Sequence, residues 1–392
     1  MKKFIAIIMV AMFALSMVAC SQPAAEEAAP TEETPATEET TAPAATTETA
    51  SEYKVAMITD YGDITDQSFN QTTYEGCKEF CEANSIDFKY YKPAGDSTAE
   101  RVAMVDAAVA DGFNVIVMPG FAFGETVVQT VELYPDVYFV ALDVSQGDLG
   151  DFVLPENVFC AVYQEELCGY MAGYAAVKLG YTKLGFLGGM AVPAVVRYGY
   201  GFVQGADAAA AELGLTDVTM NYAYGNQFSG DADITAAMDT WYSAGTEVVF
   251  ACGGGIYTSA AEAAAKVDGK VIGVDTDQSA IIDGGYGEGM TVTSAMKGLA
   301  ATVKSVLGDL ILNDAWSNYA GQVSTLGLIG EDPEANFVQL PVASTQFAEG
   351  FTEADYTALV AAMFKGEITV SSDIEAEPAV TAITVDYQGN IK

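Results

Sequence analysis

The stretch ITDYGDITDQSFNQ, Ile58–Gln71, sets Asp60, Asp63 and Asp66 at intervals of three and follows them with Ser68, Phe69 and Asn70. Acids so spaced have two chemical uses. They can gather a cation that activates water for hydrolysis, or they can accept hydrogen bonds from the hydroxyl and N–H groups of a neutral polar ligand. The wider composition bears on the choice. The 392 residues include no histidine, which removes the commonest general base and metal ligand and, with it, the Ser-His and Cys-His nucleophiles. Arg101 and Arg197 are the only arginines, so a bidentate phosphate clamp is poorly supplied. A formal net charge of -38 disfavours anionic partners, nucleic acid and acidic lipid headgroups among them.

Positioning such residues requires a rigid frame, and the chain has the pattern of one. Short β-rich runs at 54–60, 87–91, 115–118, 137–143, 183–188, 218–222, 247–251 and 270–275 alternate with helical stretches such as 68–83, 98–110, 165–179, 195–213 and 258–266. The strands are nearly continuous apolar runs, as expected when helices cover both faces, and the alternation implies doubly wound parallel sheets. A long connection at 145–158 interrupts the rhythm. After Asp275 a glycine-rich segment, 284–289, precedes a helix near 296–312. Two α/β lobes, each with its own smaller sheet, account for these breaks better than one large sheet.

In open α/β sheets ligands bind beyond the carboxyl ends of the strands. Here Asp60, Asp143 and Asp275 end the first, fourth and last of these runs, and glycines (Gly120, Gly188-Gly189, Gly253 to Gly255) follow others. Ser68-Phe69-Asn70-Gln71 reads as a capping box in which the Ser68 hydroxyl bonds the Gln71 N–H. Phe69 and Asn70 then fall in a helix's first turn, where an aromatic and an amide could stack on and hydrogen-bond a flat heterocycle.

Lys2 and Lys3, the apolar run 4–18 and Met17-Val18-Ala19-Cys20 are similar to a bacterial lipoprotein leader, in which Cys20 is lipidated; Met17 departs from the usual leucine. Such an anchor holds a protein at the outer face of the cell membrane, since each buried CH₂ contributes ~0.8 kcal/mol. Residues 21–52, rich in Ala, Thr, Glu and Pro, read as an acidic tether. Of the cysteines beyond Cys20, Cys77 and Cys81 lack the spacing of zinc or redox sites, and small buried hydrophobes are the reading for all five. No metal and no cofactor is expected.

The segment ITDYGDITDQSFNQTTYEG resembles the opening signature of the basic membrane protein family, the purine-nucleoside-receptor lipoproteins of bacterial ABC uptake systems. The resemblance continues through GFLGGMAVPAVVRYGYGFVQGA, VVFACGGG, VIGVDTDQS and TSAMKG, over most of 53–370. It implies the type I periplasmic binding protein fold, with two Rossmann-like lobes joined by three hinge crossovers: 53–160 plus about 291–320, and 161–290 plus about 321–370, followed by a C-terminal extension, 371–392. It implies Phe69 as one face of a base sandwich, Asp60, Asn70 and Asp143 as partners of the base edge, Asp275 and Lys297 as ribose ligands, and Gly253 where backbone approaches the sugar. The second stacking aromatic should come from YAYGNQFSGD; Phe228 is the choice, but that turn is longer than the family's, leaving Tyr224 and Gln227 as alternatives. The implied ligand is guanosine, inosine or adenosine and the implied partner an ABC permease, with a surface sensor sharing all these features. Alternatives are a binding lipoprotein for a sugar and a calcium-dependent nucleoside hydrolase. Nucleoside hydrolases set two acids side by side, whereas here they are spread, and no EF-hand spacing occurs.

Overall fold

The computed structural model describes residues 52–391. The leader, Cys20 and the tether as far as Ser51 lie outside the described residues. In chain order the strands are β1 (Lys54–Ile58), β2 (Asp87–Tyr91), β3 (Val115–Pro119), β4 (Tyr138–Leu142), β5 (Val158–Tyr163), β6 (Lys183–Gly188), β7 (Val218–Tyr224), β8 (Val248–Cys252), β9 (Lys270–Asp275), β10 (Thr291–Lys297), β11 (Gln322–Leu326), β12 (Val338–Gln339) and β13 (Ile383–Asn390). They form a six-stranded sheet ordered β11-β5-β4-β3-β1-β2 and a seven-stranded sheet ordered β12-β10-β9-β8-β6-β7-β13. Every pairing is parallel except β10 with β12. Central strands such as VIVMP (β3) and VVFAC (β8) are buried along their whole length, because helices cover both faces.

In each sheet the strand order reverses beside the first strand, β1 between β2 and β3, and β6 between β7 and β8. At such a point the loops after neighbouring strands diverge and open a crevice. Asp60 and Gly120 emerge there in one lobe, Gly189 and Gly253 in the other.

The lobes are joined by three crossings. The chain leaves the first sheet after β5, returns after β10 into a helix, Leu299–Ile311, that packs on the helix Phe69–Ala83, and leaves again after β11. Backbone bonds tie the crossings side by side: Gln164 N–H to Leu326 O at 2.9 Å, Phe337 N–H to Gly327 O at 3.0 Å and Gly298 N–H to Phe337 O at 2.7 Å. The limits expected from sequence shift accordingly. Residues 291–297 are a strand of the second sheet rather than the start of a return to the first, and 322–326 belong to the first sheet. The glycine-rich 284–289 segment lies inside the second lobe, as the last turn of the helix Ser279–Tyr286 and the turn after it. The expected extension 371–392 contains β13, which pairs with β7 at the edge of the second sheet.

Within the second lobe the helices Glu165–Lys178 and Pro193–Leu213 cross at backbone contact. A Cβ at Gly169 or Gly173 would lie 2.2 Å from the Tyr198 carbonyl oxygen or 2.1 Å from that of Phe202. Cβ atoms at Gly201 and Gly205 would meet the carbonyls of Glu166 and Tyr170 at 2.1 and 2.0 Å. Glycine is the one residue that permits this approach. The crossing brings the first turn of one helix, with Glu165 and Glu166, against Arg197 and Tyr198 of the other.

Candidate functional site

A cavity of about 650 Å³ lies between the lobes and is lined by Asp60, Phe69, Asn70, Asp143, Phe228, Gly253, Asp275 and Lys297 among others. Its size suits a small organic ligand. On the first lobe, Asp60 follows β1, and its Oδ1 accepts from the N–H groups of Tyr61 and Gly62, both at 2.7 Å. Its other oxygen lies against Gly120, where a Cβ would approach to 3.1 Å. Burial raises the Asp60 pKa against these bonds.

The helix carrying Phe69 and Asn70 is capped differently from the sequence expectation. Asp66, not Ser68, supplies the cap: its oxygens accept from the backbone of Ser68, Asn70 and Gln71 at 2.9–3.0 Å, and from Asn70 Nδ2 at 3.2 Å. A carboxylate offers more acceptor sites than a hydroxyl and complements the helix N-terminus. The Gln71 side chain does reach back, to the Gln67 N–H. Released from capping, the Ser68 hydroxyl crosses the cleft and donates to Asp275 Oδ2 at 2.6 Å. A second bond crosses nearby, from Gln278 Nε2 to the Gln67 carbonyl at 3.0 Å.

The centre of the site is Lys297, at the end of β10. Its Nζ lies 2.6 Å from Asp143, 3.4 Å from Glu165 and 3.8 Å from Asp275, and 4.8 Å from the Phe69 ring centroid. Burial alone would lower the ammonium's pKa, but the three carboxylates outweigh it and raise it. Asp143 and Asp275 both adopt positive φ, 59° and 65°, at the ends of β4 and β9. Aspartate tolerates this conformation better than most residues. Burial pushes the Asp143 carboxyl up to about 6, opposed by Lys297, and it raises Asp275 as well. Asp143 Oδ1 and Asn70 Oδ1 are buried with no hydrogen-bond partner.

On the second lobe, Phe228 sits on glycine backbone. A Cβ at Gly189 would lie 2.4 Å from its ring and one at Gly253 2.9 Å from it, while its carbonyl accepts from Gly255 N–H at 2.9 Å. The close approach at Gly253 is therefore made by Phe228. Of the alternatives, Tyr224 pairs its hydroxyl with that of Tyr222, away from the cavity lining, whereas Gln227 lines the cavity and donates to Ser229 O and Asp231.

Residues 53–329 match the family described as ABC transporter substrate-binding protein, PnrA-like. The chain belongs to this Bmp family. BmpA of Lactococcus lactis subsp. cremoris, described as an ABC transporter nucleoside-binding protein, is 27% identical over 65% of this chain and 74% of its own length. Basic membrane protein B of Borreliella burgdorferi is 28% identical over 71% and 80%. Among solved structures, an ABC transporter solute-binding protein from Conexibacter woesei superposes with a TM-score of 0.63 at 22% identity, covering 82% of this chain and 99% of that one. One from Aeropyrum pernix gives 0.62 at 22%, covering 82% and 88%. At such identity these structures speak for the fold, that of type I periplasmic binding proteins. The Bmp family is a substrate-binding component of ABC transporters, so this chain's role is that of a solute-binding receptor.

In this Bmp family member all eight residues singled out from sequence line one cavity. Sequence reasoning missed Glu165 and Arg197. Glu165 is fully buried, and its oxygens meet Lys297 and, at 2.7 Å, Arg197 Nε. Both residues sit in ordinary helical patterns. The available signal was that one of only two arginines falls a few residues beyond the end of β6, where the site should be. Ser68 and Gln278 were missed as cross-cleft donors because their partners are more than 200 residues away. Asp63 is a turn acid, accepting from Thr65 and paired with Lys92 at the surface. Cys77, Cys81, Cys160, Cys168 and Cys252 are buried free thiols. Among the described residues, no group of three or more His, Cys, Asp or Glu could hold a metal, and no helix is long and apolar enough to cross a membrane.

Proposed function

We propose that the protein is a purine nucleoside receptor, anchored to the outer face of the cell membrane through a lipid on Cys20, which delivers its ligand to an ABC permease. The observation that carries this reading is the composition of the cavity: one aromatic from each lobe, Phe69 and Phe228, with Asp60 and Asn70 near one ring and Asp143, Asp275 and Lys297 grouped together. Two rings can stack on both faces of a base at about 1–3 kcal/mol each. Carboxylates accept from base N–H groups and from vicinal ribose hydroxyls. The surplus of acids repels a phosphate, which favours the neutral nucleoside. The relative from L. lactis, described as nucleoside-binding, supports the ligand class. Closure of the lobes about the three crossings would bury the ligand and form the surface a permease recognises.

The test is calorimetric titration of the full chain in detergent with guanosine, inosine, adenosine, cytidine, ribose and galactose, with EDTA present and the solutes checked by chromatography afterwards. Binding of a purine nucleoside at micromolar or lower Kd, with the solute recovered intact, supports the receptor. Binding of sugars alone would send the assignment to a sugar receptor, and free base and ribose in a calcium-replete sample would make it a hydrolase.

A further inference from the structure

The two cations of the cleft are used unequally. Lys297 already donates to Asp143 and Glu165 and lies 3.8 Å from Asp275, which leaves it a single N–H for a ligand. Arg197 donates only through Nε, to Glu165 at 2.7 Å. Among the described residues no oxygen accepts from its terminal amino groups, although the side chain is just 17% exposed and lines the cavity. Four N–H donors on the cavity wall are thus left for solvent or ligand. Their position is fixed twice over. The Glu165 carboxylate, itself fully buried, is held between guanidinium and ammonium, and the glycine-mediated helix crossing holds Glu165 and Arg197 at one level. Arg197 therefore stands one carboxylate away from Lys297, the residue assigned above to the sugar.

We infer that Arg197 is a ligand contact that donates to the 5′ oxygen of the bound sugar, so that the receptor selects nucleosides with a free 5′-hydroxyl. The inference rests on the nucleoside reading above and adds a residue and a selectivity to it. The acceptor is a neutral oxygen rather than a phosphate, because Asp60, Asp66, Asp143 and Asp275 line the same cavity and Glu165 already neutralises the guanidinium. A lysine could not replace Arg197 fully, since an ammonium drawn to Glu165 would not keep a planar set of donors turned elsewhere.

The full chain is titrated with inosine, 5′-deoxyinosine and inosine 5′-monophosphate, using the wild type, Arg197→Gln and Arg197→Lys. The wild type is expected to bind inosine about 10- to 100-fold more tightly than 5′-deoxyinosine, as loss of a hydrogen bond to a charged group implies. Arg197→Gln should bring the two within about threefold, with Arg197→Lys between. The ratio is taken on one protein, so a fraction of misfolded material does not alter it. Should Arg197→Gln not fold, the wild-type ratio and the lysine variant decide. Equal affinities in the wild type overturn the inference while leaving the nucleoside reading intact. So does an unchanged ratio in Arg197→Gln, which would make the arginine a prop for Glu165. Tighter binding of the monophosphate would overturn the neutral acceptor, and failure to bind inosine or any other nucleoside would remove both readings together.

Discussion

Asp60 and Asp63 have the same chemistry and lie three residues apart, yet their surroundings separate them. Asp60 is buried at the end of β1 with one oxygen tied to backbone amides, whereas Asp63 is half exposed and engaged with Lys92. Lys92 and Thr65 hold the Asp63 carboxyl down at about 2, so it stays ionised and occupied at neutral pH. Asp60→Ala should therefore weaken nucleoside binding by about 10- to 100-fold, the range for a hydrogen bond to a charged group. Asp63→Ala should change it less than about twofold. Parallel calorimetry on the two variants checks this, and equal losses would count against Asp60 as a ligand contact. Phe228→Ala should lose about 1–3 kcal/mol of binding if its ring stacks on the base. Tyr224→Phe, which removes a hydroxyl bonded to that of Tyr222, should leave Kd unchanged. A Kd unmoved by Phe228→Ala would return the second stacking role to Gln227's turn or to another residue.

The elements that carry these residues depend on glycine and on caps more than on side-chain bulk. Gly173→Ala would put a methyl group against the Phe202 carbonyl and force the two helices apart. Overpacking of this kind costs about 1–3 kcal/mol, and urea denaturation should show it, with the Glu165–Arg197 pair disturbed as well. Asp66→Ala removes the cap of the Phe69 helix and should destabilise by about 1–2 kcal/mol. Its failure to do so would mean that Ser68 can take over the cap. The strands buried on both faces could be read directly from the sequence because VIVMP and VVFAC are apolar throughout, and the acids Asp60, Asp143 and Asp275 at the ends of β1, β4 and β9 marked the cleft. What could not be read depended on contacts distant in the chain. β5 runs straight into the Glu165 helix with no Gly or Pro to punctuate it. β10 has threonines and a serine inside the sheet, and its partner β12 is only two residues long. β13 is a half-exposed edge strand that pairs with β7, far back in the sequence. That Ser68 takes no part in the cap was hidden for a related reason, since the serine's partner, Asp275, lies on the other lobe.

At the scale of the whole molecule, the lobes meet over an excess of buried acid. Asp143, Glu165, Glu166 and Asp275 gather near the crossings with Lys297 and Arg197 as the neighbouring cations. Burial lifts two of these carboxyls above the ordinary carboxylate range. Burial raises Asp143 from 3.8 to about 6 and Glu166 from 4.5 to about 7, and Glu166 Oε2 has no hydrogen-bond partner. A carboxyl whose pKa is raised by folding binds a proton in the folded chain that the unfolded chain has released. Its contribution to stability is complete below the unfolded value and is lost as pH rises through the folded one. Thermal stability should therefore fall between pH 5 and pH 8. The net charge of -38 would also lower stability as pH rises, through general repulsion, so the wild-type trend alone does not identify the group. Glu166→Gln does identify it. The amide cannot ionise, so the variant should match the wild type near pH 5 and exceed it at pH 8 by on the order of 2–3 kcal/mol, the worth of the shift at about 1.4 kcal/mol per pH unit. Denaturation curves at both pH values measure the difference. A variant that tracks the wild type across the range would mean that Glu166 ionises freely in the fold and that the surface charge alone sets the slope.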